Sequence, residues 1–147
     1  MPNSDQLSPE DERIIDLFFL LKEGEKFMEA FDVLYPLAEK YPDKFVIFFL
    51  LGSVLYECGE FKNAEGYLEK AVSLNPAHWL SSMTLIHTLS NLKKWHTAFN
   101  EIRRFLLEKN GNKKEHMLLL RELHEGIDSF STSERALISD LIKKFKI

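Results

Sequence analysis

The sequence of 147 residues is poor in the features that mark several protein classes. It has a single cysteine, Cys58, so an internal disulfide is excluded and a reducing compartment is expected. With only six glycines and five prolines it has little material for the turns of a many-stranded sheet, which favours long helices. The longest uninterrupted apolar run, Phe45–Leu51, is far below the roughly 18 residues that indicate a membrane-spanning helix.

Positive charge is also scarce, since the net charge is −4 and the isoelectric point is about 5.7. A general nucleic-acid-binding role is excluded, because binding phosphates requires a net basic field. Residues 1–16 are polar and acidic, so we expect no secretory signal there and a cytoplasmic location.

Charge is distributed unevenly along the chain. Residues 1–76 carry 15 acidic and 7 basic side chains, a net charge of −8, whereas residues 77–147 carry 8 acidic and 12 basic ones, a net charge of +4. This asymmetry could orient a partner or favour head-to-tail pairing of two copies. The alternative is that it only reflects solubilising faces.

Apolar residues, by contrast, are abundant. Hydrophobic residues make up 45% of the chain and aromatic residues 12%, so the chain can bury a core and is not globally disordered. The aromatic share is high enough to serve a binding surface as well as a core.

Residues of the same type recur at a spacing of 34 along the chain. Three series share this spacing: Pro42 and Pro76; Ala30, Ala64 and Ala98; and Phe27, Phe61 and Trp95. Three independent series at one period indicate a repeat architecture of stacked supersecondary units.

The unit 45–78 has the clearest pattern, with apolar residues at helical spacing on both sides of a break near Cys58–Glu60. Small residues such as Gly52 and Ala64 predict a close crossing of its two helices, and Asn75–Pro76 predicts the end of the second. By composition alone, residues 45–51 could also form a buried strand. We favour a helix, because the repeat aligns them with other helical segments and no second strand candidate exists.

This unit resembles a tetratricopeptide repeat (TPR). The residues that carry the resemblance are Leu51, Gly52, Leu55, Gly59, Phe61, Ala64, Leu68, Ala71 and Pro76. Less regular copies occupy residues 11–44 and 79–112, and a degenerate helical pair occupies residues 113–147. The resemblance implies an all-α fold, a short TPR-like α-solenoid of about three helical hairpins plus the degenerate C-terminal pair. We expect a flexible N-terminus over residues 1–8 and a single domain over residues 9–147.

Signals of catalysis are weak throughout the sequence. It has no glycine-rich phosphate loop, no cysteine pair and no zinc-protease motif, and its five histidines are scattered. The carboxylates have the spacing of solvated helix faces, and Cys58 lies at a predicted helix–helix turn. We therefore expect no enzymatic activity, no cofactor and no metal site.

In the TPR family the first helix of each pair lines a concave face. Carried over to this sequence, the resemblance assigns that groove Ile15, Phe19, Val46, Phe49, Tyr56, Leu80, Met83, His87 and Met117. An apolar surface of this kind indicates a protein client with an apolar extended or helical segment. Alternatively, the terminal helix or a second copy of the chain, in a homodimer, fills the groove.

The resemblance also argues against one family role. TPR domains that clamp the carboxylate terminus of heat-shock chaperones use cationic and amide side chains in the groove. The corresponding positions here carry no cation that could pair with the carboxylate of a chaperone terminus. They are Ile15, Phe19, Leu50, Leu80 and Thr84.

In architecture, size and repeat pattern the sequence is similar to the small TPR chaperones of bacterial type III secretion. This similarity implies a non-catalytic interaction module that masks an apolar segment of a translocator or needle subunit until hand-over. The alternative is a TPR adaptor or assembly factor that bridges two folded partners. Neither reading includes nucleic acid or a membrane as a partner.

Overall fold

The computed structural model describes residues 6–108, 113–125, 128 and 130–145. These residues form α-helices and no strand, which confirms the all-α prediction and the helical interpretation of residues 45–51. The helices are α1 (Pro9–Glu23), α2 (Phe27–Lys40), α3 (Phe45–Glu57), α4 (Phe61–Leu74), α5 (Trp79–Asn91), α6 (Trp95–Leu106), α7 (Lys113–Glu125) and α8 (Thr132–Phe145).

Each predicted repeat corresponds to one pair of helices. The second helices of the first three pairs begin at Phe27, Phe61 and Trp95, and a three-residue turn precedes each of them. The last pair is irregular, as expected, because α8 begins only at Thr132. Residues 1–5 of the predicted flexible N-terminus lie outside the described residues.

Contacts between backbone segments divide the chain into two units, Met1–Leu74 with α1 to α4 and Asn75–Ile147 with α5 to α8. In the first unit α2 packs against both α1 and α3, and α3 packs against α4. In the second unit α5 packs against α6 and α7, and α8 packs against α6 and α7. The single domain over residues 9–147 stays a prediction.

The core of the first unit is apolar and continuous across three helices. Its buried members are Phe18, Ala30, Leu34, Leu37, Ile47, Leu50, Leu51 and Val54. The close approach predicted at Gly52 is confirmed, because a Cβ at this position would lie 2.6 Å from Cγ of Leu68 on α4. Ala64 and Ala71 on α4 are also fully buried.

In the second unit a guanidinium group holds α6 against the start of the unit. Arg104 donates hydrogen bonds to the Pro76 carbonyl oxygen at 3.0 Å and to Ser82 Oγ at 2.9 Å. The same side chain pairs with the carboxylates of Glu101 and Glu108 on either side along the chain. Charge-assisted bonds of this kind fix geometry as well as contributing stability.

Helix starts in both units use side-chain caps. Ser8 Oγ accepts the Asp11 N–H at 3.2 Å with Pro9 in the first turn, and Ser131 Oγ accepts the Glu134 N–H at 3.3 Å. Each serine precedes an acidic first turn, and its hydroxyl satisfies a backbone donor that would otherwise be unpaired.

A histidine caps α5, which the sequence did not predict. His78 Nδ1 accepts the backbone N–H of Ser81 at 3.3 Å and lies 2.7 Å from Ser81 Oγ. Burial lowers the pKa of His78, and the nearby Glu115 carboxylate opposes this effect only in part. The neutral ring, which keeps Nδ1 as an acceptor, is therefore the form that the fold favours.

We expect the free energy of unfolding to fall as the pH decreases below about 6.5, the ordinary histidine pKa. The folded state lowers the pKa of His78, so the unfolded chain binds the proton more readily over this range. The stabilising contribution of the neutral His78 ring is complete above the pKa of the unfolded state. It is lost as the pH falls through the lower pKa of His78 in the folded state. Denaturant unfolding between pH 5 and 7 should show a shallower pH dependence for His78→Asn, which keeps a capping acceptor. An unchanged slope would contradict the role of His78.

Candidate functional site

The first helices of the first two hairpins lie side by side in the first unit. Lys22 Nζ near the end of α1 is 3.3 Å from Glu57 Oε1 at the end of α3. Both helices pack against α2, which connects to them through short turns, so α1 and α3 run in the same direction. That the predicted groove positions of the two helices share one surface stays a prediction.

Four of the predicted site residues lie on these two helices, and we call this set the α1/α3 face: Ile15, Phe19, Val46 and Phe49. The side chains of Phe19 and Val46 are 41% and 40% exposed. Ile15 and Phe49 are half-buried and pack against the core of the unit. The face therefore combines a fixed apolar floor with two large apolar side chains that are open to solvent.

Tyr56, a further predicted site residue, lies nearer the end of α3 than Val46 and Phe49. Its ring contacts Phe61 edge-on, with 5.5 Å between the ring centroids. Burial raises the pKa of its hydroxyl, which therefore stays protonated at neutral pH.

The predicted site residues of the second unit differ among themselves. Leu80 and Met117 are exposed, whereas His87 is half-buried and lines a small polar cleft of about 260 Å³ with Ser90, Asn91 and Trp95. Met83 is only 5% exposed, so the open position predicted for it is wrong and its side chain is not available to a partner. That residues of both units line one groove stays a prediction.

The sequence did not predict the buried carboxylate of Asp11. Asp11 is 5% exposed, and its Oδ2 accepts a hydrogen bond from Tyr41 Oη at 2.5 Å and lies 2.7 Å from Lys40 Nζ. The hydrogen bonds from Lys40 and Tyr41 hold the pKa of Asp11 below its usual value. The cluster ties the start of α1 to the end of α2, which is a structural role.

The described part of the chain offers no group of three or more histidine, cysteine, aspartate or glutamate side chains that could hold a metal ion. Among the same residues, none of the helices has the length and apolarity needed to cross a membrane. Cys58 is half-buried at the turn after α3, where its Sγ donates to the Leu55 carbonyl oxygen at 3.3 Å.

Several solved structures share this arrangement of helices. MamA from Desulfovibrio magneticus RS-1 aligns with a TM-score of 0.65 at 15% identity, over 95% of this chain and 81% of its own. The first TPR of Spaghetti (RPAP3), bound to the HSP90 peptide SRMEEVD, aligns with 0.64 at 21% identity, over 83% and 96%. The Sgt2 TPR domain from Aspergillus fumigatus aligns with 0.63 at 14% identity, over 87% and 88%.

The chain has a TPR fold. No family model matches the sequence, and no curated protein matches it significantly. At these identities the structural likeness concerns the fold, so the TPR relatives do not by themselves assign a ligand to this chain.

Proposed function

We propose that this TPR protein is a non-catalytic protein-interaction module that binds an apolar segment of another protein on its α1/α3 face. The observation that carries the proposal is the exposure of Phe19 and Val46 on the same two helices on which Ile15 and Phe49 pack against the core. Clustered exposed apolar side chains on a folded surface usually mark a binding site.

The energetics of such a face are sufficient for binding. Burying one large apolar side chain contributes roughly 1.5–3 kcal/mol. Three or four such contacts can exceed the cost of association, and a floor already packed against the core loses little conformational entropy on binding.

The chemistry of the α1/α3 face favours an apolar ligand over an acidic one. The cationic side chain of Lys22 on α1 is already paired with the carboxylate of Glu57 on α3. The five positions that correspond to a carboxylate clamp carry no charge. An acidic peptide such as SRMEEVD, which the RPAP3 domain binds, is therefore expected to bind weakly here.

We further propose that the client is a translocator or needle subunit of bacterial type III secretion, kept from premature assembly by burial of its apolar segment. The size of the chain, its net acidic charge and the apolar α1/α3 face support this client class.

The second candidate function is an adaptor that holds two folded partners. The observation that favours it is the opposite net charge of the two units, −8 for residues 1–74 and +4 for residues 75–147.

The test is co-expression of the chain with a translocator or needle subunit, followed by size-exclusion chromatography. We expect a stable complex that Phe19→Glu combined with Val46→Glu abolishes, because two carboxylates cannot be buried in an apolar contact. Both residues are already about 40% exposed, so the helical circular-dichroism signal should stay near normal.

The matched control is Leu20→Glu combined with Leu107→Glu, which changes the charge equally at two exposed leucines outside the α1/α3 face. This control should keep the complex. Equal loss in both double variants would contradict the α1/α3 face as the binding surface. Absence of any complex with these subunits would contradict the secretion client, and simultaneous binding of two folded partners would favour the adaptor.

A further inference from the structure

A second apolar cleft lies between α2 and α4 of the first unit, and it shares no residue with the α1/α3 face. Its volume is about 290 Å³. The lining residues, which define the α2/α4 cleft, are Met28, Phe31, Tyr35, Leu55, Asn63 and Tyr67. The three from α2 recur at helical spacing, so they form one continuous wall.

The cleft is lined chiefly by aromatic rings. The ring of Phe31 lies 5.6 Å from that of Tyr35 and 5.7 Å from that of Tyr67, the latter in an edge-on arrangement. Tyr35 is 44% exposed and Met28 is 50% exposed, so two large side chains at the rim remain open to solvent. A ligand could therefore pack on ring faces that differ in orientation.

The polar groups of the α2/α4 cleft, which belong to Tyr35, Asn63 and Tyr67, can all donate hydrogen bonds. The hydroxyls of Tyr35 and Tyr67 have no hydrogen-bond partner among the described residues. Burial raises the pKa of Tyr67, so this hydroxyl is protonated and can donate at neutral pH. Asn63 Nδ2 donates one hydrogen bond to Glu60 Oε2 at 3.3 Å, which leaves its second N–H for a ligand.

We propose that the α2/α4 cleft binds a proline-rich segment in the polyproline II conformation with a flanking arginine or lysine. Proline rings pack on aromatic side chains, and a polyproline II segment presents carbonyl acceptors with few N–H groups. This composition matches a cleft of aromatic rings and donors. The net charge of −8 on residues 1–74 favours a basic flank.

The dimensions of the cleft agree with such a ligand. Met28 and Tyr35 are seven residues apart on α2, which corresponds to about 10 Å along the helix axis. One turn of polyproline II has three residues and spans about 9 Å.

A helical ligand fits the cleft less well, because its carbonyl oxygens are already hydrogen-bonded within the helix. The hydroxyls of the two tyrosines would then be buried without acceptors.

The experiment is an isothermal titration of the full chain with two synthetic peptides that share an Arg-Arg end. One peptide has a proline run before the arginines and the other has an alanine run of the same length. We expect the proline peptide to bind and the alanine peptide, a good helix former, to bind at least about tenfold more weakly.

Two variants locate the binding. Tyr35→Ala should weaken the proline peptide at least about tenfold, because it removes one of the aromatic rings on which the prolines would pack. Tyr67→Phe keeps the ring and removes only the hydroxyl, so it should weaken binding by about two- to tenfold. Because Tyr67→Phe preserves the packing, an effect of this variant does not depend on unfolding.

Phe19→Ala on the α1/α3 face is the control and should leave the affinity for the proline peptide unchanged. Failure of the proline peptide to bind, equal binding of the alanine peptide, or full affinity of Tyr67→Phe would each overturn the proposal. None of these outcomes bears on the client of the α1/α3 face, which is tested by the Phe19 and Val46 variants.

Discussion

We expect Gly52→Leu to lower the free energy of unfolding by about 1–3 kcal/mol, the range for overpacking a core. A Cβ at position 52 would lie 2.6 Å from Cγ and 2.8 Å from Cδ2 of Leu68, and 3.3 Å from the Leu68 backbone nitrogen. Leu68 is fully buried, so its side chain cannot move aside without disturbing the core. Denaturant unfolding followed by circular dichroism measures the effect.

Gly66→Ala is the matched control on the neighbouring helix. Gly66 is an exposed residue within α4, and a Cβ there would meet nothing within 4 Å. We expect this change to raise the free energy of unfolding by about 0.5–1 kcal/mol, because alanine loses less backbone entropy than glycine in a helix. If Gly52→Leu were as stable as the original sequence, α3 and α4 could not cross as closely as described.

The second large effect concerns the turns inside the first three hairpins. Glu25, Gly59 and Lys93 are spaced by 34 and have positive φ angles of 59°, 80° and 61°. Each is followed by a residue whose N–H bonds back to the preceding helix, as Glu60 does to the Leu55 carbonyl oxygen at 2.8 Å. This pattern is a Schellman motif, in which glycine is the favoured residue.

We therefore expect Glu25→Gly and Lys93→Gly each to raise the free energy of unfolding by about 1 kcal/mol, because a side chain is strained in this conformation. By the same reasoning Gly59→Ala should lower it by about 1 kcal/mol. Thermal and denaturant unfolding of the three variants measures these changes.

Gly24→Ala separates this conformational effect from a general effect of glycine. Gly24 precedes Glu25, has a φ of −80°, and its added Cβ would make only ordinary contacts at 3.6 Å. We expect it to be neutral or slightly stabilising. A loss as large as that of Gly59→Ala would contradict the assignment of the left-handed conformation to Glu25.

The repeat and its helix pairs could be predicted from the sequence because they depend on local signals. Helical spacing of apolar residues, the serine caps at Ser8 and Ser131 and the 34-residue period each act within a few turns or recur along the chain. The helix starts at Phe27, Phe61 and Trp95 follow this period.

The exposure of the predicted groove positions could be predicted only in part. Ile15, Phe49 and Met83 occupy the same position in successive repeats, yet Met83 is buried whereas the other two are half-buried. The position in the repeat determines which way a side chain points, but the neighbouring helices determine whether it is covered. Those neighbours differ from one hairpin to the next.

The sequence by itself determined the all-α repeat, the helix pairs and the apolar character of the first helices. Only the tertiary structure decided that Asp11 meets Lys40 and Tyr41, and that Phe31 meets Tyr67 across the α2/α4 cleft. Helix periodicity is a property of neighbouring residues, whereas these contacts join residues about 30 or more positions apart. Such distant pairs depend on how the helices pack, which no local pattern specifies.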